Sequence, residues 1–249
     1  MVTTETNINL LDYFLTLNAL KVIKMTIVAL IIMFVISDTY IVQAASLTPE
    51  HPWKTWKQSQ NLSVSSRVSP IDKLTEIKAT AIVNSSLSGF LLFIQDVNNT
   101  PKWLTNASSS KIIKVFSATE HIFTVNFAAI WPLDPRYSQL HSHYWQNSNL
   151  SVEIELEDDF SVDIEHSDVV RVKFYQGHWL LTPRINKEHQ KQLLIEYTFI
   201  ADSGGKLPKW FADQLALKSI LKSMKQISLQ LPQSKWQQQN IPGITELSL

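Results

Sequence analysis

The chain of 249 residues contains no cysteine. That excludes a disulfide framework, a thiolate metal site and a cysteine nucleophile. It also lacks net charge, because 22 Lys and Arg balance 22 Asp and Glu. Holding phosphates takes clustered cations, so nucleic acid is not expected as a partner. No Gly-x-Ser-x-Gly elbow occurs, which leaves nucleophilic catalysis without support in the sequence. The apolar run from Met25 to Ile36 is too short for a comfortable membrane span of ~20 residues. No internal repeat, low-complexity tract or linker divides the chain.

What remains is an ordinary globular composition, with 45% hydrophobic and 18% charged residues. The length suits one domain of ~200 residues behind a short processed segment. Lys21 and Lys24 precede the apolar run, and Val42-Gln43-Ala44 puts small or branched residues where a signal peptidase reads. Residues 1–44 therefore read as a leader with a secretory signal, cleaved after Ala44. The expected product is an exported, periplasmic or secreted protein of residues 45–249. An uncleaved anchor holding the chain to a membrane is the alternative.

Local patterns suggest the elements. Trp53 and Trp56, at helical spacing after Pro52, predict a helix over His51 to Gln60. Leu62 to Val68 and Ile77 to Val83 alternate apolar and polar residues, as half-buried strands do. Ser86 to Asp96 predicts a short amphipathic helix with Ser86 as N-cap. A polar loop is expected from Asn98 to Ser110. Strands follow at Lys111 to Ala118, His121 to Ile130 and Tyr137 to Tyr144. Ser151 to Glu157 sets Val152, Ile154 and Leu156 against Glu153, Glu155 and Glu157, giving one buried face and one acidic face. Val169 to Tyr175 and His178 to Pro183 flank Gln176-Gly177, a hairpin signal. Another strand is expected at Leu193 to Ile200. After Pro208 the pattern turns helical to about Ile227. Trp210, Leu217, Ile220, Leu221, Met224 and Ile227 fall on one side, and Lys218, Lys222 and Lys225 on another. Strands joined by short turns make an antiparallel sheet, and one long helix after them must bury its stripe on it. The fold class is α+β.

The stretch from Val169 to Trp210 resembles the START family of steroidogenic-acute-regulatory-related lipid-transfer domains. The likeness lies in Gly177-x-Trp179, Tyr197, and the run Asp202, Gly204, Gly205, Pro208 and Trp210 that opens the last helix. Trp131 to Tyr137 is similar to the family's Pro-Leu-x-x-Arg-Asp segment, and Trp103 sits where the family often has a Trp after its short helix. The resemblance spans about Trp53 to Leu229. It implies a helix-grip fold, a curved antiparallel sheet around a long C-terminal helix, with an apolar tunnel between them and the helix as lid. There are two departures. Tyr137 replaces the Asp after Arg136, so that local pairing is missing. The family's tunnel arginine falls near Ser142, which puts a charged group in the tunnel in doubt.

The residues expected to contact a ligand are Trp210, Leu217, Leu221 and Met224 on the last helix, with Arg136, Ser142 and Tyr144 from the sheet. Plain core packing of the helix stripe is the competing reading. No cofactor is expected. His141 and His143 share a strand face, but a metal needs a third ligand, and Glu120, His121, His166 and Asp168 have nothing to place them. They read as solvated histidines, with no metal. The carboxylates from Glu153 to Asp159 read as a solvated face. The expected protein is a monomer, not an enzyme, that binds a lipid or other hydrophobic small molecule and touches membranes transiently. The rivals are a helix-grip cyclase or hydrolase using Arg136, His141 and Tyr144, and an envelope interaction protein with a filled core and a lysine stripe.

Overall fold

A computed structural model describes residues 51–129, 134–161, 169–205 and 207–248. The leader expected over residues 1–44, the run Trp131 to Leu133, His166 and Asp168 lie outside the described residues. The strands are β1 (Lys54–Gln58), β2 (Leu62–Val68), β3 (Thr75–Val83), β4 (Ala107–Val115), β5 (Glu120–Phe127), β6 (Arg136–Gln146), β7 (Val152–Asp158), β8 (Val170–Arg171), β9 (Lys173–Ile185) and β10 (Lys191–Asp202). The helices are α1 (Leu87–Gln95), α2 (Thr100–Trp103) and α3 (Lys209–Gln230). Among the described residues one sheet runs β1-β2-β3-β10-β9-β7-β6-β5-β4, antiparallel throughout, and β8 adds a short parallel pairing to β6. None of the described helices is long and apolar enough to cross a membrane.

Several elements form for the reasons their sequences advertise. In β7 the apolar Val152, Ile154 and Leu156 are buried while Glu155 and Glu157 are exposed. The Ser86 side chain accepts from Gly89 N at 3.0 Å and caps α1. Helix α3 begins one residue after Pro208, whose fixed φ suits a helix entry.

Elsewhere tertiary context overrides the local pattern. The helix expected over His51 to Gln60 is the edge strand β1. Its register shifts between Thr55 and Lys57, and this bulge hides the period-2 signature. The tryptophans do different things. Trp53 lies beneath the Arg67 guanidinium at 4.4 Å and the Lys78 ammonium at 4.6 Å, while Trp56 packs against the core. The expected loop from Asn98 to Ser110 holds a 3-10 turn, α2 and the start of β4.

The hairpin expected at Gln176-Gly177 is also absent, and β9 runs straight through. Gly177 answers a close approach instead of a turn. A Cβ there would meet the Phe174 ring at 2.5 Å and Leu156 Cβ at 3.0 Å.

Strand register arranges the concave face in rows. Ala81, Ile195, Leu181 and Val152 stand opposite one another and are fully buried. With Leu87, Phe90 and Leu91 of α1 and Met224 and Ile227 of α3, they belong to one core cluster. The next row is Ala79, Tyr197, Trp179, Ile154 and Tyr144, and the Phe90 ring sits 5.6 Å from that of Trp179. The row beyond it is Ile77, Phe199, Gly177, Leu156, Ser142 and His121. From these rows onward the space between sheet and α3 is not filled by side chains.

Candidate ligand-binding cavity

A cavity of about 540 Å³ lies between the concave face and α3. That size suits one small ligand. Alternation aims Arg136, Ser138, Leu140, Ser142 and Tyr144 of β6 into it, along with His121, Phe123, Val125 and Phe127 of β5. The far wall is aromatic. Trp179 stacks on Tyr197 with centroids 4.0 Å apart, Tyr197 on Phe199 at 5.2 Å and Phe174 on Phe199 at 6.3 Å. Phe123, Tyr197, Phe199 and Ala201 keep part of their surface accessible although they pack against the core and line the cavity.

Helix α3 closes the other side with Ala212, Ala216, Ser219, Ile220, Ser223 and Ile227. Their spacing of three to four residues makes one stripe of the helix. Most of these side chains are small, so they leave volume where larger ones would fill it. Ser223 anchors this stripe, accepting from Thr105 N at 2.9 Å and donating to Thr105 Oγ1 at 3.1 Å.

The charged lining groups gather where α3 begins. Lys209 Nζ bonds Thr75 Oγ1 and Asp213 Oδ2, the latter at 2.7 Å. Arg136 donates from Nε to Ser203 O at 3.0 Å and from an η nitrogen to Asp134 O at 2.8 Å. Gly204 and Gly205 adopt φ of +66° and +76°, and Asp202 Oδ1 accepts from Gly204 N at 2.9 Å. A Cβ on Gly204 would sit 2.7 Å from Arg171 O, so this turn needs glycine for both conformation and space. Tyr137 is buried, with the Arg171 guanidinium 5.6 Å from its ring.

The opposite end, toward α1, carries neutral polar groups. Tyr144 hydrogen-bonds Gln95, and burial, the larger effect, raises its phenol above the ordinary range. Burial likewise raises the Tyr197 hydroxyl. The His121 imidazole is held below its ordinary value, first by burial and then by the neighbouring His141. Trp103 Nε1 is buried and has no acceptor among the described residues.

Of the residues expected at the site, Arg136, Ser142 and Tyr144 line the cavity. Trp210, Leu217, Leu221 and Met224 are not among the lining residues. Leu217 and Met224 are 4% and 0% exposed and sit in the core cluster, and Leu221 packs against it. Trp210, expected to face the sheet, is 69% exposed and meets the Phe211 ring edge-on at 5.7 Å. These four lie roughly 100° around the helix from the cavity stripe, about one residue step. Of the apolar side expected to face the sheet, Ile220 and Ile227 line the cavity. The recurring small residues Ala212, Ala216, Ser219 and Ser223 are the sequence signal for the rest of the cavity-lining stripe. His121 was missed as a wall residue because its strand neighbours look equally suited to either face. His141 is on the outer face, with Nε2 at 2.9 Å from Glu120 Oε1.

Comparison with known proteins agrees with this architecture. No family model and no curated protein matches the sequence. Solved structures do. A STAR-related lipid transfer protein from Xanthomonas axonopodis superposes with a TM-score of 0.62 at 19% identity, over 72% of this chain and 98% of that one. Human StAR-related lipid transfer protein 5 gives a TM-score of 0.61 at 16% identity, over 86% and 98% of the two chains.

The chain has the START-like helix-grip fold.

Within that fold, the Gly177-x-Trp179 and Gly204-Gly205 positions of the resemblance have physical roles. Gly177 leaves room for the Phe174 ring against the aromatic wall, and Gly204 and Gly205 turn the chain from β10 into helix α3.

Proposed function

We propose that this protein binds one apolar small molecule, a lipid or similar, between the curved sheet and α3, and carries it through an aqueous compartment outside the cytoplasm. The observation that carries the reading is the unfilled volume of about 540 Å³ behind an aromatic wall. Removing apolar ligand surface from water contributes about 25 cal/mol per Å² when the receiving space is already open. The reading is of a carrier and not of an enzyme, because the lining is mainly aliphatic and aromatic. Exposed Trp210 beside Lys209, at the charged end of the cavity, suits transient contact with a bilayer surface. Support for export is the sequence pattern of Lys21 and Lys24, the apolar run and Val42-Gln43-Ala44, read as a secretory leader.

Mass spectrometry of organic extracts from the purified protein tests the binding. A stoichiometric lipid is expected, and Ala216→Phe, which fills the cavity from α3, is expected to lose it while staying folded. A clean extract, together with no uptake of an added 18-carbon chain, would overturn the reading. Export is tested by N-terminal sequencing of the protein from the extracytoplasmic fraction. A chain starting at Ala45 is expected, and one retaining Met1 overturns cleavage.

A further inference from the structure

The polar groups of the cavity divide by charge and by position. Those that carry charge lie at the α3 end and already have partners: Lys209 with Asp213 and Thr75, and Arg136 with the carbonyls of Ser203 and Asp134. Toward α1 the groups are neutral. Arg136 and Ser142 are six residues apart on one strand, which separates the two ends by about 20 Å.

At the α1 end His121 and Ser142 are direct cross-strand partners on the concave face. Side chains so paired stand about 5 Å apart at Cβ. Ser142 is 5% exposed, and neither side chain makes a hydrogen bond among the described residues. Tyr144, two residues along β6 on the same face, brings its bond to Gln95 alongside. Polar groups taken out of water normally have partners. A ligand group is the natural partner here. Burial keeps the imidazole neutral, so it offers one donor and one acceptor. A ligand carboxylate or phosphate at this end would be buried without a counter-charge, which is costly.

We propose that His121, Ser142 and the Tyr144–Gln95 pair form a neutral hydrogen-bonding subsite, which selects an apolar molecule bearing an uncharged hydroxyl or carbonyl over one bearing a carboxylate or phosphate. This rests on the cavity being a ligand site.

The test is competition among three 18-carbon chains: oleyl alcohol, oleic acid and 1-octadecene. The purified protein is incubated with an equimolar mixture at pH 7.5, re-isolated by gel filtration and extracted for mass spectrometry. Oleyl alcohol is expected to exceed each of the others by on the order of tenfold, the worth of one buried hydrogen bond. In the double variant His121→Leu, Ser142→Val the alcohol and the octadecene should be retained equally, with total uptake preserved. His121→Asn, which keeps a neutral donor and acceptor, should retain the preference. Circular dichroism melting checks that each variant is folded. Oleic acid retained as well as the alcohol, or an alcohol preference that survives in the double variant, overturns the subsite and leaves the carrier reading standing. Retention of none of the three chains overturns both.

Discussion

The Trp179 and Tyr197 rings lie nearly parallel, 15° apart in plane and 4.0 Å apart at their centroids, on residues paired in register between β9 and β10. The pair marks a border. On one side the sheet is packed solid by α1 and α3, and on the other the cavity begins. Stacked rings present a flat apolar surface that keeps its shape without a ligand. That pre-organisation lowers the ordering cost of binding.

One row away, Gly177 leaves room for the Phe174 ring. Gly177→Ala is expected to cost about 1–3 kcal/mol, because the new Cβ would stand 2.5 Å from a ring carbon. Urea unfolding measures it as a lowered midpoint. Phe174→Leu added to Gly177→Ala should recover part of the loss. An unchanged midpoint in Gly177→Ala would mean that the ring moves aside freely.

The C-terminal tail pins α1, which supplies Leu91, Ile94 and Gln95 to the cavity wall. Glu246 accepts from Leu87 N at 3.0 Å and Ser88 N at 2.8 Å, placing a carboxylate on the first turn of the helix. Thr245 and Gln146 exchange two bonds of 2.8 Å beside it. Glu246→Ala should destabilise by about 1–2 kcal/mol, through two lost bonds and the lost interaction with the helix dipole. The expected reading is a melting temperature lower by about 2–4 °C per kcal/mol. Glu246→Gln should fall between the variant and the parent, and equality of all three would show that the tail does not hold the helix.

Acidification should destabilise the fold in two stages. The folded-state pKa of His121 lies below its unfolded value, so the unfolded chain takes up the proton first. Stability is therefore expected to fall as pH drops through about 6.5, the unfolded imidazole value, and to stop falling once the folded imidazole also titrates. Glu153 is held low by Asn147, at 2.7 Å, and then by His178, at 2.8 Å. Its contribution is present above the unfolded carboxylate value of about 4.3 and is lost as pH falls through its folded value. Melting temperatures across the pH range should show a shallower decline from pH 7 to 5 in His121→Gln. Parallel curves for the variant and the parent would remove His121 as the cause of the first stage.

Much of the architecture could be read locally. Val64, Ile154 and their neighbours at every second position announced strands, Ser86 announced a helix start and Pro208 the last helix. These signals rest on backbone period and capping, which a few adjacent residues decide. Where a bulge broke the period at Trp56, or a glycine served packing instead of turning at Gly177, the local signal pointed the wrong way. The long helix was found, and Ile220 and Ile227 of its apolar side line the cavity, but the small residues that form the rest of that wall were not singled out. Leu217 and Met224 carry the apolarity, whereas Ala216, Ser219 and Ser223 face the open space.

The sequence by itself determined the alternation of the strands, the caps, and the glycine turn into α3, because each is a short-range preference of the chain. Only the tertiary structure decided which stripe of α3 looks inward, that His121 stands opposite Ser142, and that volume remains beside Trp179. Those depend on strand register and on helix rotation against the sheet. A cavity is space that distant side chains fail to fill, and no run of neighbouring residues records it.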